Sequence, residues 1–136
     1  MPDYKKIIFA TLSYIILTMA IAYPWHMIWF HSLYETMGAV TRPEPIIPLG
    51  MLSMLIQGIV IAYLYPFWYK GGNPAVQGVK FMLIVGLLIY SVMGFATVAK
   101  MNITPISTFL MYHTAFQLIQ FVVTGAALGL IFGKKV

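Results

Sequence analysis

The chain has 136 residues, 61% of them hydrophobic and only 8% charged, with a mean hydropathy of +0.89 and a formal net charge of +5. An ordinary soluble domain is about 25% charged, so this composition excludes one and indicates an integral membrane protein built as a single small bundle. The basic residues are scattered at the ends of apolar runs, which argues against a nucleic-acid partner, and the lack of cysteine excludes disulfides, thiolate metal sites and thiol nucleophiles.

A short polar head with Asp3, Lys5 and Lys6 precedes the first apolar run, residues 7–24, which is long enough to span a bilayer. No small-residue cleavage pattern closes it, so an uncleaved helix is expected rather than a signal peptide. Pro24 is expected to bend the chain, because a straight helix on to Gly38 would overshoot a hydrocarbon core of about 30 Å. The aromatic tract of Trp25, Trp29, Phe30 and Tyr34 then suits the bilayer interface. The proline-rich stretch 41–48 forms the longest loop, residues 49–68 the second span, 79–98 the third and 106–132 the fourth. The expected fold is all-α: a polytopic membrane protein of one domain, with four transmembrane helices in a compact bundle and a short aromatic interfacial segment after the first.

Orientation follows from the basic residues. Lys5, Lys6, Lys70, Lys80, Lys134 and Lys135 fall on one side and Arg42 and Lys100 on the other, which makes the first side and both termini cytoplasmic. The triplet Leu55-Ile56-Gln57 of the second span recurs as Leu118-Ile119-Gln120 in the fourth, a faint parallel repeat of two hairpins.

Each span carries a polar or small edge. In the fourth, at about 100° per residue, His113, Gln117, Gln120 and Thr124 share an arc of roughly 60°, and Gly125, Gly129 and Gly133 line a nearly opposite one. Such a glycine edge admits the backbone of another helix, within the subunit or across a homodimer. Thr11, Tyr14 and Thr18 mark the first span, Ser53 and Gln57 the second, and Gly86, Tyr90, Gly94 and Thr97 the third. These groups either hold helices together by hydrogen bonds or line a pocket or path. His113, Gln117, Gln120, Gln57, Tyr90 and Tyr14 are the candidate ligand or ion contacts, with His113 expected beside Gln117 and within reach of Tyr14, Thr18 or Ser53.

His26, His31 and Glu35 are candidate ligands for a metal or a haem iron, since the topology brings them to the same side as His113. Spacing favours His31 and Glu35 as a pair one turn apart, whereas His26 and His31 would be about 140° apart on a helix.

Four spans with an aromatic tract after the first, Gly86-xxx-Tyr90 with Ala96-Thr97-xx-Lys100, Gly125-xx-Leu128-Gly129, and Tyr112-His113 together resemble the small bacterial inner-membrane families known as domains of unknown function 2177 and 1761. The resemblance implies a bacterial inner-membrane setting and brings no activity with it.

Two functions fit these features. One is a homo-oligomeric carrier or channel for a small solute or ion. The other is a membrane module that binds a ligand or acts on a lipid or quinone, with haem or metal held by the outer histidines, or an accessory subunit of a larger complex. The chain has no nucleophile triad, no carboxylate pair and no phosphate-binding glycine loop, and its only acids are Asp3, Glu35 and Glu44, which argues against hydrolytic chemistry. Reporter fusions at either end of the chain are expected to register the cytoplasm; an extracytoplasmic signal from the C-terminal fusion would mean that one span is misread.

Overall fold

The computed structural model describes residues 3–39 and 42–133, and within them all regular structure is helical. Lys134 and Lys135, which contribute to the orientation count, lie outside the described residues. α1 (Tyr4–Tyr23) begins at Asp3, whose carboxylate accepts from the amides of Lys5 at 3.1 Å and Lys6 at 3.2 Å. A helix N-terminus leaves four amides open, and this cap satisfies two of them.

The expectation that the first span ends at Pro24 is corrected. Pro24 takes helical angles, φ −60° and ψ −40°, and opens a π-helical turn, Pro24–Trp29. Proline lacks an amide hydrogen and crowds the carbonyl one turn back; here the widened turn carries the helix on, closed by the Phe30 amide donating to the Trp25 carbonyl at 3.1 Å. The break comes at Phe30, with φ −121° and ψ 15°, after which α2 (His31–Thr36) runs for less than two turns.

α3 (Ile47–Trp68) and α4 (Pro74–Tyr90) are joined by a short turn. α4 starts earlier than the expected residue 79, because Pro74 suits a first helical position and Asn73 caps it by accepting from the Val76 amide at 3.2 Å. A second π-helical turn, Ser91–Ala96, and the short α5 (Thr97–Lys100) continue the same rod, and α6 (Ile106–Gly133) closes the described chain. Four rods, Tyr4–Trp29, Ile47–Trp68, Pro74–Lys100 and Ile106–Gly133, are long and apolar enough to cross a membrane.

α1 and α6 are the inner pair. α3 packs on α1, α4 packs on α6 over the most extensive interface, and α3 meets α4 near their connecting turn, where Tyr65 and Trp68 lie against Phe81 with ring centroids 5.2 and 6.1 Å away. The core at this end gathers Tyr14, Ala62, Tyr65, Met82, Phe121 and Leu128. Lys6 spans from α1 to the end of α6, its ammonium donating to the Phe132 carbonyl at 3.2 Å.

The glycine edge of α6 packs within the chain, on α4. A Cβ on Gly125 would stand 2.7 Å from the Gly78 carbonyl oxygen and 2.9 Å from the Val79 Cα, and one on Gly133 would stand 2.5 Å from the Pro74 ring. At Gly129 the opposing atoms are the Pro74 carbonyl and the Gly78 Cα. Gly58 plays the same part between α3 and α1, where a Cβ would meet Thr11 at 3.1 Å. Gly129→Ala is therefore expected to cost about 1–3 kcal/mol by overpacking. Gly50→Ala, where nothing lies within 4 Å, should stay within about 0.5 kcal/mol of wild type. Reversible unfolding in mixed micelles measures both, and equal stabilities would contradict the packing.

Candidate functional site

Part of the polar seam is consumed in joining helices. Tyr14 of α1 donates to the Gln57 amide oxygen at 2.6 Å, and the Gln57 amide nitrogen donates to Ser53 at 3.2 Å. From the other side, Gln120 donates to Thr18 of α1 at 3.2 Å, and Thr124 donates back to the Gln120 carbonyl at 2.6 Å. The two glutamines of the repeated triplet thus clasp α1 from α3 and from α6. An amide in an apolar interior must find such a partner or carry the penalty of an unmet hydrogen bond.

A different arrangement occupies the opposite end. α2 stops at Gly38, whose φ of +86° suits a residue without a side chain. The Ala39 amide reaches back to the Tyr34 carbonyl at 2.9 Å, and the Gly38 amide to Glu35 at 3.0 Å. The Thr104 amide donates to the Met37 carbonyl at 2.9 Å, fastening this end of α2 to the loop before α6. Tyr34, Met37, Ile103 and Phe109 form the small core beneath.

Between these parts lies a cavity of about 270 Å³. Its wall is mainly apolar, with Met93, Met101, Ile103, Phe109 and Phe116, and its polar members are His26, His31, Tyr34, Thr97 and His113. The Trp25 indole nitrogen donates to the Tyr34 hydroxyl at 3.1 Å, so Tyr34 keeps its own proton to give. Burial pushes the pKa of that hydroxyl up, only partly opposed by the Trp25 bond.

His113 is 5% exposed and its Nε2 has no hydrogen-bond partner. Its ring lies nearly parallel to Phe109, with centroids 5.4 Å apart, and to Tyr90, 5.8 Å apart. The expectation that His113 bonds to Tyr14, Thr18 or Ser53 is corrected, since Gln57 and Gln120 hold those three groups. Gln117, one turn along, is equally buried and its Oε1 is also unpartnered. Tyr65 has an unpartnered hydroxyl too, but it sits in the core at the far end and does not line this cavity.

His26, His31 and Glu35 are not assembled into a ligand set. His31 and Glu35 pair across one turn of α2 at 3.3 Å, both partly open to the surface. His26 sits one element earlier, in the π-helical turn, with its ring against Phe116 at 4.5 Å and Tyr34 at 5.1 Å. Among the described residues no three His, Asp or Glu side chains come together as a metal site.

Sequence reasoning missed Thr114, which shares a hydrogen bond of 2.7 Å with Tyr90. It stands outside the polar arc of α6 and gave no periodic signal. No protein-family model matches the chain, and neither does any curated protein or solved structure.

The Tyr14 and Gln57 bond is expected to show as a coupling of about 0.6 kcal/mol, and up to about 1.7, in a double-mutant cycle of Tyr14→Phe and Gln57→Leu, as interhelical bonds in membranes do. Additive losses would mean that the two side chains act independently.

Proposed function

We propose that the chain is a four-span membrane protein that binds a small aromatic ring compound carrying carbonyl or hydroxyl oxygens, of the quinone kind, in the cavity between α2, α6 and the π-helical turns. The observation that carries this reading is His113, a buried imidazole with an unpartnered Nε2, in the wall of an otherwise apolar, aromatic-rich cavity. Ligand pockets have this composition, a hydrophobic lining with a few convergent polar groups. A neutral imidazole presents a donor at one nitrogen and an acceptor at the other, and Tyr34 offers a second donor.

Further support comes from the backbone. Both π-helical turns contribute to the wall, the first through His26 and the second through Met93. Such turns concentrate at functional sites, because the wider ring shifts side chains out of helical register. Met93 and Met101 add a lining that adapts to the shape of a ring.

The carrier reading loses its main support, since Tyr14, Gln57, Ser53, Gln120 and Thr18 bond to one another across helices. The glycine edge, which suggested a homo-oligomer, is filled by α4 of the same chain. A bacterial inner-membrane location with cytoplasmic termini rests on the basic-residue count and the family resemblance, and it puts the cavity on the outer side.

Menadione added to the purified protein in detergent is expected to quench tryptophan emission saturably, because Trp25 packs on the cavity residue Phe116 at 6.2 Å. His113→Ala should weaken binding about tenfold, which corresponds to about 1.4 kcal/mol, with the thermal transition retained. Methylnaphthalene, which lacks the oxygens, should bind the wild type as weakly as menadione binds the variant. Equal affinities for the two compounds, or no saturable quenching, would overturn the proposal.

A further inference from the structure

We infer that the groove between α1 and α6, at the end of the bundle where α1 begins, binds one anionic phospholipid, with its phosphate against Lys5 and Lys6 and an acyl chain along α1. The groove has a volume of about 540 Å³. Lys5, Phe9, Leu12 and Ile16 of its lining share an arc of about 60° on α1, and Ile131 lines it from α6. Phe9 is 65% and Ile16 64% exposed, so this apolar stripe opens to the outside of the bundle and not into its core. The inference rests on the reading of the chain as membrane-spanning, and not on what the histidine cavity binds, with which the groove shares no lining residue.

Charge is what selects the lipid. Lys5 is exposed, and Lys6 is held in place, its ammonium donating to the Phe132 carbonyl at the end of α6. Both helices therefore build the cationic mouth, whereas a lysine that only snorkels carries its charge on a flexible stem. Asp3, the acid at this end, directs its carboxylate to the backbone amides of Lys5 and Lys6, and Glu35 and Glu44 belong to the opposite end. The remaining described lysines, Lys70, Lys80 and Lys100, and Arg42 line neither this groove nor the histidine cavity. Positive charge and an apolar groove meet at this place, the combination by which basic sites beside membrane helices recognise anionic headgroups.

Length fits the same occupant. From Lys5 to Ile16 the stripe is about 17 Å long at a rise of about 1.5 Å per residue. One leaflet of a hydrocarbon core of about 30 Å is about 15 Å deep. A lipid whose phosphate meets the lysines thus lays its chain along the whole stripe. A soluble anion would use only the mouth, and a zwitterionic lipid would bring its own cation up to the lysines. An anionic phospholipid matches both parts.

Native mass spectrometry of the purified protein, titrated in detergent with dioleoylphosphatidylglycerol and with dioleoylphosphatidylcholine, tests this. Wild type is expected to take up one phosphatidylglycerol at least about tenfold more tightly than phosphatidylcholine, since two basic residues act on it. Lys5→Gln should weaken that uptake about fivefold, the effect of one basic residue at an anionic membrane surface, and Lys5→Arg should restore it. Ser13 also lines the groove; Ser13→Phe, which fills it and keeps both lysines, should bring the first phosphatidylglycerol down to the affinity of phosphatidylcholine. Lys70→Gln, at the same end but outside the groove, and His113→Ala should each leave the uptake within about twofold, as distant sites do. Equal affinity for the two lipids, a preference unchanged in Lys5→Gln, or an equal loss in Lys70→Gln would each overturn the inference. Extraction of the protein from phosphatidylcholine vesicles by alkaline carbonate would overturn the membrane-spanning reading and the inference with it; retention in the vesicles without a lipid preference would end the inference alone.

Discussion

The contact between Gly78 of α4 and Gly125 and Gly129 of α6 is the constraint on which the rest of the molecule depends. Backbone meets backbone there, so the two helices cannot slide or rotate without collision. Two rigid antiparallel rods joined in this way have their register fixed along their whole length. Tyr90 and His113 lie equally far along their helices from Gly78 and Gly125, and they are the residues whose rings stack at 5.8 Å. Gly86 and Phe121 meet between these points, one turn off that register: a Cβ on Gly86 would meet the Phe121 ring. A contact between small residues at one end thus determines which side chains face each other at the other end, where the cavity lies.

Two sets of polar groups stand out in this apolar chain. Tyr14, Gln57, Ser53, Thr18 and Gln120 satisfy one another and tie α1 between α3 and α6. His113, which lines the histidine cavity, and Gln117 sit one turn apart on the same helix and leave one buried atom each unsatisfied. Burying such groups works against folding unless something binds them. Their place beside paired neighbours of the same chemistry is what the proposed ligand site on this part of α6 rests on, while the next turns pack on helices.

Much of this was legible from residue order. Hydrophobic length identified four long helices, and the period of α6 separated a face of His113, Gln117, Gln120 and Thr124 from the glycine edge; all four of those polar residues are buried. Periodicity could not say which buried groups would find partners, because that depends on the rotation of neighbouring helices; Gln120 and Gln117 look alike in sequence and end differently. Gly78 was missed because the third span was begun at residue 79, hiding a helix start set by Asn73 and Pro74. Pro24 was expected to bend the chain at the end of the first span, since no local signal distinguishes a proline that bends a helix from one absorbed by a π-helical turn. The convergence of His26, His31 and Tyr34 on one cavity arises from the break at Phe30 and from the Met37 to Thr104 bond, which are tertiary events.

The central claim is that the glycine contact sets the register that places Tyr90 against His113. Carbon–carbon correlation spectra of ring-labelled protein in lipid bilayers measure it directly, by solid-state NMR. The account expects a cross-peak between the Tyr90 and His113 rings in the wild type, and its loss or displacement in Gly78→Ala. An absent cross-peak in folded wild type, or one unchanged in the variant, would contradict it.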